Sequence, residues 1–369
     1  MAAGRTGELL SVRPEELARV ATQAAVTATA RRTAVVAVGG DGTINAVAQA
    51  AHAEGCAMGV IPQGTFNYFA RTHGIPTDAA DAAQALLRSV PEPVQVRLMT
   101  VLLQISDPHF GTEQLPVVEA LAVLSLQQRP DLLVLSGDIT QRARPDQFRD
   151  ARAFVDRLGV PVLAIPGNHN IPLFDLNARL FHPYSRYCDA FGDEMEPVHS
   201  SRELLVVCVN TTRWYRHTNG EVSTEQIERV ASCLASAVPE QLRVVVVHQP
   251  VAVQRAEDIH DQLRGYAAAL RRWAAAGGDL VMGGHIHLPY VMALPDLARP
   301  MWAVQAGTAV SSRVRGGIPN SVNLVRWGSG ISEGRCLIER WDYAGNCKAF
   351  ILEKVTEVKP GGVTSVCCN

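Results

Sequence analysis

"VPVLAIPGNHN" (Val160–Asn170) is the stretch on which the reading of this chain turns. The first six residues form an apolar run, long enough for a buried strand and too short for a helix. Pro166-Gly167 then marks a turn. That turn delivers an amide and an imidazole, Asn168 and His169, side by side. Paired coordinating side chains at a strand end point to a ligand, because packing alone seldom calls for them. Asn170 follows, where a carboxylate would be the more useful partner for a histidine.

The same order of strand, turn and coordinating residue recurs. "MTVLLQIS" (99–106) leads to Asp107-Pro108-His109, and "LLVLS" (132–136) to Gly137-Asp138. "VVVV" (244–247) leads to His248, and "LVMGG" (280–284) to His285 and His287. Five of the eleven histidines therefore sit directly after strands. In α/β sheets ligands gather at the carboxyl ends of the strands, so these residues would converge on one crevice. Each motif taken singly has an ordinary reading, since Asp caps turns and Gly-Asp starts helices. Together they read as a metal centre. Imidazole, carboxylate and amide oxygen suit Mn, Fe or Zn better than Ca. One shared carboxylate can bridge two such ions about 3.5–4 Å apart.

Composition sets the outer bounds. The chain has 369 residues, 47% apolar and 19% charged, an ordinary globular balance with room for two domains. A formal net charge of −2 supplies no global field for nucleic acid or anionic lipid. No apolar run is long enough to span a membrane, and the N-terminus lacks the order of a secretion signal. The expected address is the cytoplasm, with the eight scattered cysteines mostly free thiols.

Further β-branched runs fall at 34–38, 58–61 and 204–209, with segments of helical spacing between runs, such as "DQFRDARAFVDRLG" (146–159). Alternation of this kind predicts an α/β fold with buried strands. A Pro-rich seam, "RSVPEPVQVRL" (88–98), predicts a boundary near residue 95. The reading is thus a small unit over 1–95, a larger one over 96–355 and a flexible tail over 356–369.

The series "DPH … GDI … GNHN … H … GHIH" resembles the calcineurin-like metallophosphoesterase family, within it the branch of bacterial cyclic-nucleotide phosphodiesterases. The resemblance implies a four-layer αββα sandwich, two facing mixed sheets with helices outside and metals at strand ends. It implies two divalent cations: Asp107, His109 and His287 on one, Asn168, His248 and His285 on the other, Asp138 bridging. His169 would face the phosphate as a catalytic residue, stabilising charge or protonating the leaving oxygen. The implied reaction is phosphoester hydrolysis by in-line attack of a metal-held hydroxide, on a small substrate such as a cyclic nucleotide. The family usually has an acidic residue where Asn170 stands. An amide there would orient His169 without stabilising its charge, predicting slower turnover that Asp would restore; the alternative is that Asn170 is harmless.

The smaller unit carries "VVAVGGDGTINAVAQA" (35–50), a strand running into Gly39, Gly40, Asp41, Gly42 and Thr43 ahead of a helical segment. Such a junction serves either as a plain tight turn or as a phosphate cradle of backbone N–H groups. With "GTFNYFAR" (64–71), containing Gly64, Thr65 and Asn67, it resembles the catalytic domain of diacylglycerol and sphingosine lipid kinases. That resemblance implies ATP with Mg²⁺ at the glycine turns. It stops near residue 90, without the second domain that closes the lipid cleft, so an inactive partial unit is expected. Kinase activity from this unit, and a non-catalytic metal-binding module, are the rival readings. Arg313 and Arg315 in "SSRVRGG" (311–317) read either as loop residues that reach a phosphate or, more simply, as a solvated turn, and Tyr184 and Tyr187 as pocket or core.

Overall fold

A computed structural model describes residues 7–13, 16–63, 70, 74–89, 91, 100–216, 218–328 and 334–361, without the side chains of residues 41, 42 and 45. The chain divides into two compact units, Met1–Arg97 and Leu98–Asn369.

The first unit contains α1 (Leu17–Arg31), β1 (Ala34–Gly39), α2 (Asp41–Glu54), β2 (Ala57–Pro62) and α3 (Ala79–Arg88). Strands β1 and β2 pair in parallel, with Val36 opposite Gly59. Parallel neighbours need a crossover, and α2 supplies it. Alanines let the elements approach closely: Ala21, Ala25, Ala37 and Ala50 bury with Ile44, Val47 and Val60. Asp78 caps α3, accepting from the amides of Ala80 and Asp81 at 2.9 and 3.0 Å.

The second unit is built from two six-stranded sheets. One contains β3 (Thr100–Ile105), β4 (Leu132–Ser136), β5 (Val162–Ile165), β12 (Ser321–Trp327), β13 (Cys336–Ala344) and β14 (Ala349–Val358). Its spatial order is β14-β13-β12-β3-β4-β5. The other contains β6 (Val198–Ser200), β7 (Leu204–Cys208), β8 (Leu242–Val246), β9 (Leu280–Gly283), β10 (Tyr290–Ala293) and β11 (Trp302–Gln305), in the order β10-β11-β9-β8-β7-β6. Strands β3, β4 and β5 run parallel, as do β7, β8, β9 and β11.

Alternation along the strands decides the layering. Val101, Leu103 and Ile105 pack against α4 (Leu115–Gln128) and α5 (Pro145–Leu158) through Leu121, Leu124, Phe148 and Phe154. Leu102, Val134 and Ile165 face the opposite way and meet Val206, Val244 and Met282 of the other sheet. Beyond that sheet, α8 (Thr224–Ala235) and α9 (Tyr266–Ala275) cover Leu205, Val207 and Val245, with Trp273 buried and its indole N–H on the Ile227 carbonyl at 3.2 Å. Helices α6 (Leu176–Phe181) and α7 (Ser185–Phe191) follow the third motif. The unit is therefore the four-layer αββα sandwich. Strands covered on both faces read as unbroken apolar runs, which is why β3, β4, β5, β7, β8 and β9 stand out in the sequence.

Polar groups join the two sheets below the site. Gln104, midway in "VLLQIS", is fully buried and its amide donates to the Gly283 carbonyl of the facing sheet at 3.0 Å. Asn323 donates to Gln104 at 3.0 Å, and Gln305 bonds the Gly284 carbonyl. The strand β14 runs to Val358, paired with Cys336, so residues 356–358 end a strand where the sequence suggests a tail.

Candidate metal centre

The loops after β3, β4, β5, β8 and β9 meet at one rim, and three backbone bonds splice the first two: Asp107 N–H to Gly137, His109 to Asp138, and Phe110 to Ile139 (3.2, 3.0 and 2.9 Å). The turns are sharp. Asp107, His109, Asp138, His285 and His287 all adopt positive φ, at 49°, 42°, 45°, 75° and 54°. Each costs about 1 kcal/mol or more for a residue with a Cβ, and such conformations persist only where the surroundings over-determine them. Two glycines are fixed by neighbours: a Cβ on Gly137 (φ +96°) would strike the His248 ring, and one on Gly284 would strike Ser106 and Asp107.

Two sets of donors result. Asp107, His109 and His287 bring one ligand atom each within 4.8 Å of one another, and Asp138, His248 and His285 do the same. Asp138 lies between them, Oδ1 3.3 Å from His248 Nε2 and Oδ2 3.8 Å from His109 Nε2. Asn168 joins the second set, its Oδ1 3.2 Å from His248 Nε2. All seven residues proposed as ligands from the sequence thus surround one space, drawn from both sheets.

Whether cations fit follows from which atoms lack partners. His248 Nδ1 is 2.9 Å from the Ser136 carbonyl and His287 Nδ1 2.7 Å from that of Arg313. A carbonyl only accepts, so those nitrogens carry the protons and each Nε2 turns inward. His248 Nε2 then meets the carboxylate of Asp138 and the amide oxygen of Asn168. His287 Nε2 meets His109 Nε2 at 3.1 Å and Asp107 Oδ1 at 3.4 Å. Asp107 Oδ2 accepts from Ser106 Oγ and the His285 amide, at 2.7 and 2.9 Å. Its Oδ1, and Nδ1 of His285, are buried with no hydrogen-bond partner among the described residues. Converging lone pairs with orphaned acceptors are the donor arrangement two divalent cations require.

The charges agree. Burial works to raise Asp107, but His287 and His248 outweigh it and hold its carboxyl at about 2. Burial likewise opposes Asp138, which His248, His169 and His109 keep well below the carboxylate range. Burial lowers His109 to about 3, neutral as a ligand must be. Burial lowers His248 too, yet Asp138 and Asp107 raise it to about 9, so without a metal a proton balances the carboxylates.

His169 sits at the edge of this space, Nδ1 3.0 Å from the Gln141 carbonyl and Nε2 4.0 Å from Asp138 Oδ2. Asn170 requires a correction. It is fully buried and turned away from the imidazole: Oδ1 accepts from the Gly167 and Ile139 amides at 2.8 and 3.2 Å, while Nδ2 donates to Thr140 Oγ1 at 2.9 Å. It clamps the loop and does not orient His169; Gln141 does. Asn170→Asp is therefore expected to change turnover by less than about threefold, well under the 1.4 kcal/mol of a tenfold effect. Asn170→Ala should destabilise the protein by about 2–4 kcal/mol by orphaning two buried amides, read in denaturant titrations. A large rate gain in the Asp variant would contradict this geometry.

Sequence reasoning missed several supporting groups. Asp261 Oδ1 lies 3.6 Å from His285 Nε2, leaving Nδ1 as the buried nitrogen without a hydrogen-bond partner. No spacing signal marks it, because it comes from a 3-10 segment, Ala256–Asp261, remote from the motifs. Arg315 is an anchored ion pair with Asp258 at 2.9 Å, and Arg313 lies beside His169. Tyr187 is core, stacked on Phe191, and Tyr184 bonds Thr212 at 2.8 Å. In the first unit, Gly39 ends β1 and Gly40 precedes α2, which Asp41, Gly42 and Thr43 begin. Gly64, Thr65 and Asn67 lie outside the described residues.

Comparisons with known proteins agree with this geometry. The family model described as the diacylglycerol kinase catalytic domain matches residues 3–99. Over 209 residues the chain is 26% identical to a cAMP/cGMP dual specificity phosphodiesterase of Mycobacterium tuberculosis, covering 51% of this chain and 61% of that one. Over 161 residues it is 46% identical to a probable cyclic nucleotide phosphodiesterase of a Synechococcus species, covering 41% and 59%. The chain thus spans about three fifths of either relative. A dimetal phosphatase from Danio rerio shares the fold, with TM-score 0.51, 14% identity and coverage of 71% and 99%. A model described as calcineurin-like phosphoesterase matches residues 100–289, which is 190 of the 369 residues and includes every loop that meets at the rim. The chain belongs to the calcineurin-like phosphoesterase family.

Proposed function

We propose that this protein is a dinuclear-metal-dependent phosphodiesterase, with cyclic nucleotides its favoured substrates. The observation that carries the reading is the pair of donor sets sharing Asp138. Asp107, His109 and His287 would hold one cation, and Asn168, His248 and His285 the other. The mixture of imidazole, carboxylate and amide oxygen suits Mn, Fe or Zn. Bound there, two cations polarise a phosphoryl oxygen and lower the pKa of water toward neutrality. The chain's own residues do the remainder. Buried Asp107 and Asp138 set the charge of the centre, and the backbone carbonyls of Ser136 and Arg313 aim the His248 and His287 rings. His169, its Nδ1 proton tied to the Gln141 carbonyl, turns Nε2 to the same space, and once Nε2 is also protonated it would pass that second proton to the departing oxygen.

The diester preference comes from the two phosphodiesterase relatives. It is tested with full-length protein and Mn²⁺ on bis-p-nitrophenyl phosphate, p-nitrophenyl phosphate and cyclic AMP. Faster cleavage of the monoester than of either diester would remove the substrate assignment, and no turnover at all would remove the hydrolase.

For the first unit, the β1–α2 junction supports binding of nucleotide phosphates, ATP with Mg²⁺, at the N-terminus of α2. Calorimetric titration should show ATP binding that Gly40→Val weakens; a flat wild-type titration would end that proposal.

A further inference from the structure

A cation stands at the mouth of the centre that no part of the mechanism above employs. Arg313 NH1 lies 3.3 Å from His169 Nε2 and 3.0 Å from Gln141 Oε1. Because Gln141 O takes the proton on His169 Nδ1, Nε2 presents a lone pair, and it is Arg313 that donates to it. The same Nε2 faces Asp138, so the guanidinium borders the space between the two donor sets.

Its surroundings separate it from a solvated turn. Arg315, two residues on, is locked between Asp258 and Glu257. Arg313 donates only to neutral acceptors among the described residues, and the residue is exposed. The backbone beneath it is fixed. Ser312 N–H bonds the Thr112 carbonyl at 2.8 Å, Arg313 N–H bonds Ser311 Oγ at 3.0 Å, and Ser311 Oγ meets Thr112 Oγ1 at 2.8 Å. Thr112 belongs to the loop that carries His109, and the Arg313 carbonyl holds His287. The frame that orients the metal-binding histidines therefore also aims the guanidinium.

An arginine resting on an imidazole and an amide gains by trading them for an anion. Guanidinium–phosphate hydrogen bonds are shorter, about twice as strong as neutral ones, and match two oxygens at once. We propose that Arg313 is a substrate-binding residue, its guanidinium leaving His169 and Gln141 to take the non-bridging oxygens of the phosphoryl group. This rests on the hydrolase reading for its substrate, but not for its anion.

The test compares Arg313→Gln and Arg313→Lys with wild type in the Mn²⁺-loaded full chain. Three quantities are read: the KM and kcat for bis-p-nitrophenyl phosphate, the Kd of inorganic phosphate, and the metal content with Tm. Arg313→Gln should raise KM and the phosphate Kd about 10- to 100-fold, the scale of a lost charged hydrogen bond, with metal content and Tm unchanged. Arg313→Lys should recover part of the loss. A phosphate Kd and KM within twofold of wild type overturn the proposal, as does loss of metal or of Tm in parallel, which marks a structural role. If wild type binds phosphate but cleaves nothing, the hydrolase reading falls and the ratio of phosphate Kd values still decides Arg313. If wild type binds no phosphate, Arg313 has no anion to hold and the proposal is overturned.

Discussion

Replacing Asp138 by Asn should lower kcat on bis-p-nitrophenyl phosphate by at least about 10³-fold, the scale seen when a centre loses its principal electrostatic group. The change is nearly isosteric. An amide oxygen can still accept from the His169 backbone N–H, which Asp138 Oδ1 holds at 2.8 Å, so the loop should keep its shape. What disappears is the negative charge between the two donor sets, where Oδ1 addresses His248 and Oδ2 addresses His109. Two cations close together repel, and this carboxylate is the group placed to offset that repulsion for both. Metal per chain should fall along with the rate, measured by elemental analysis beside the steady-state assay. A variant that keeps more than a tenth of wild-type activity would show that Asp138 is not shared between the sets.

Mn²⁺ at about a thousand times its Kd should raise the Tm of the second unit by roughly 8–16 °C over protein stripped with chelator. The arithmetic is that such an excess adds about 4 kcal/mol for one site, and each kcal/mol shifts a unit of this size by about 2–4 °C. The structural reason is local. The Asp107 Oδ1 and His285 Nδ1 atoms are buried with no hydrogen-bond partner among the described residues, and five residues of the surrounding loops hold left-handed turns. A cation satisfies those atoms in the folded state only. Scanning calorimetry with Mn²⁺ and with chelator reads the shift, and His248→Ala, which loses a donor from the second set, should abolish most of it. Equal Tm values in the two buffers would mean that the donors do not form a binding site.

Much of this centre is legible from the sequence for one physical reason. Strands buried on both faces leave unmistakable apolar runs, and in "VLLQIS", "LLVLS" and "VPVLAI" the coordinating residue comes within three residues of the end of the run. The antiparallel strands are another matter. In β13, "CLIERWDYA", and β14, "AFILEKVTEV", one face is partly exposed, so charged residues interrupt the pattern and no run stands out. The strands β6, β10, β11 and β12 also escape, three of them short. Asn170 adjoins His169 in sequence, but its side chain bonds Gly167, Ile139 and Thr140 instead of the imidazole. The residue closes its own turn, while the partner of His169 comes from Gln141, 28 positions earlier. Asp261 and Arg313 illustrate the same limit, since each acts on a histidine brought near only by tertiary folding.

The division of each donor set between the two sheets has a mechanical meaning. Asp107 and His109 follow β3, while His287 follows β9 in the facing layer, and Asp138 is paired in the same way with His248 and His285. Neither layer by itself completes either set of three donors. An ion held by Asp107 and His287 would tie together positions about 180 residues apart, a closure of the length at which cross-links restrain a chain most. All six cysteines among the described residues are free thiols. The inorganic cofactor can therefore serve this domain as a rivet through its midplane, the office that cystine bridges fill in secreted proteins.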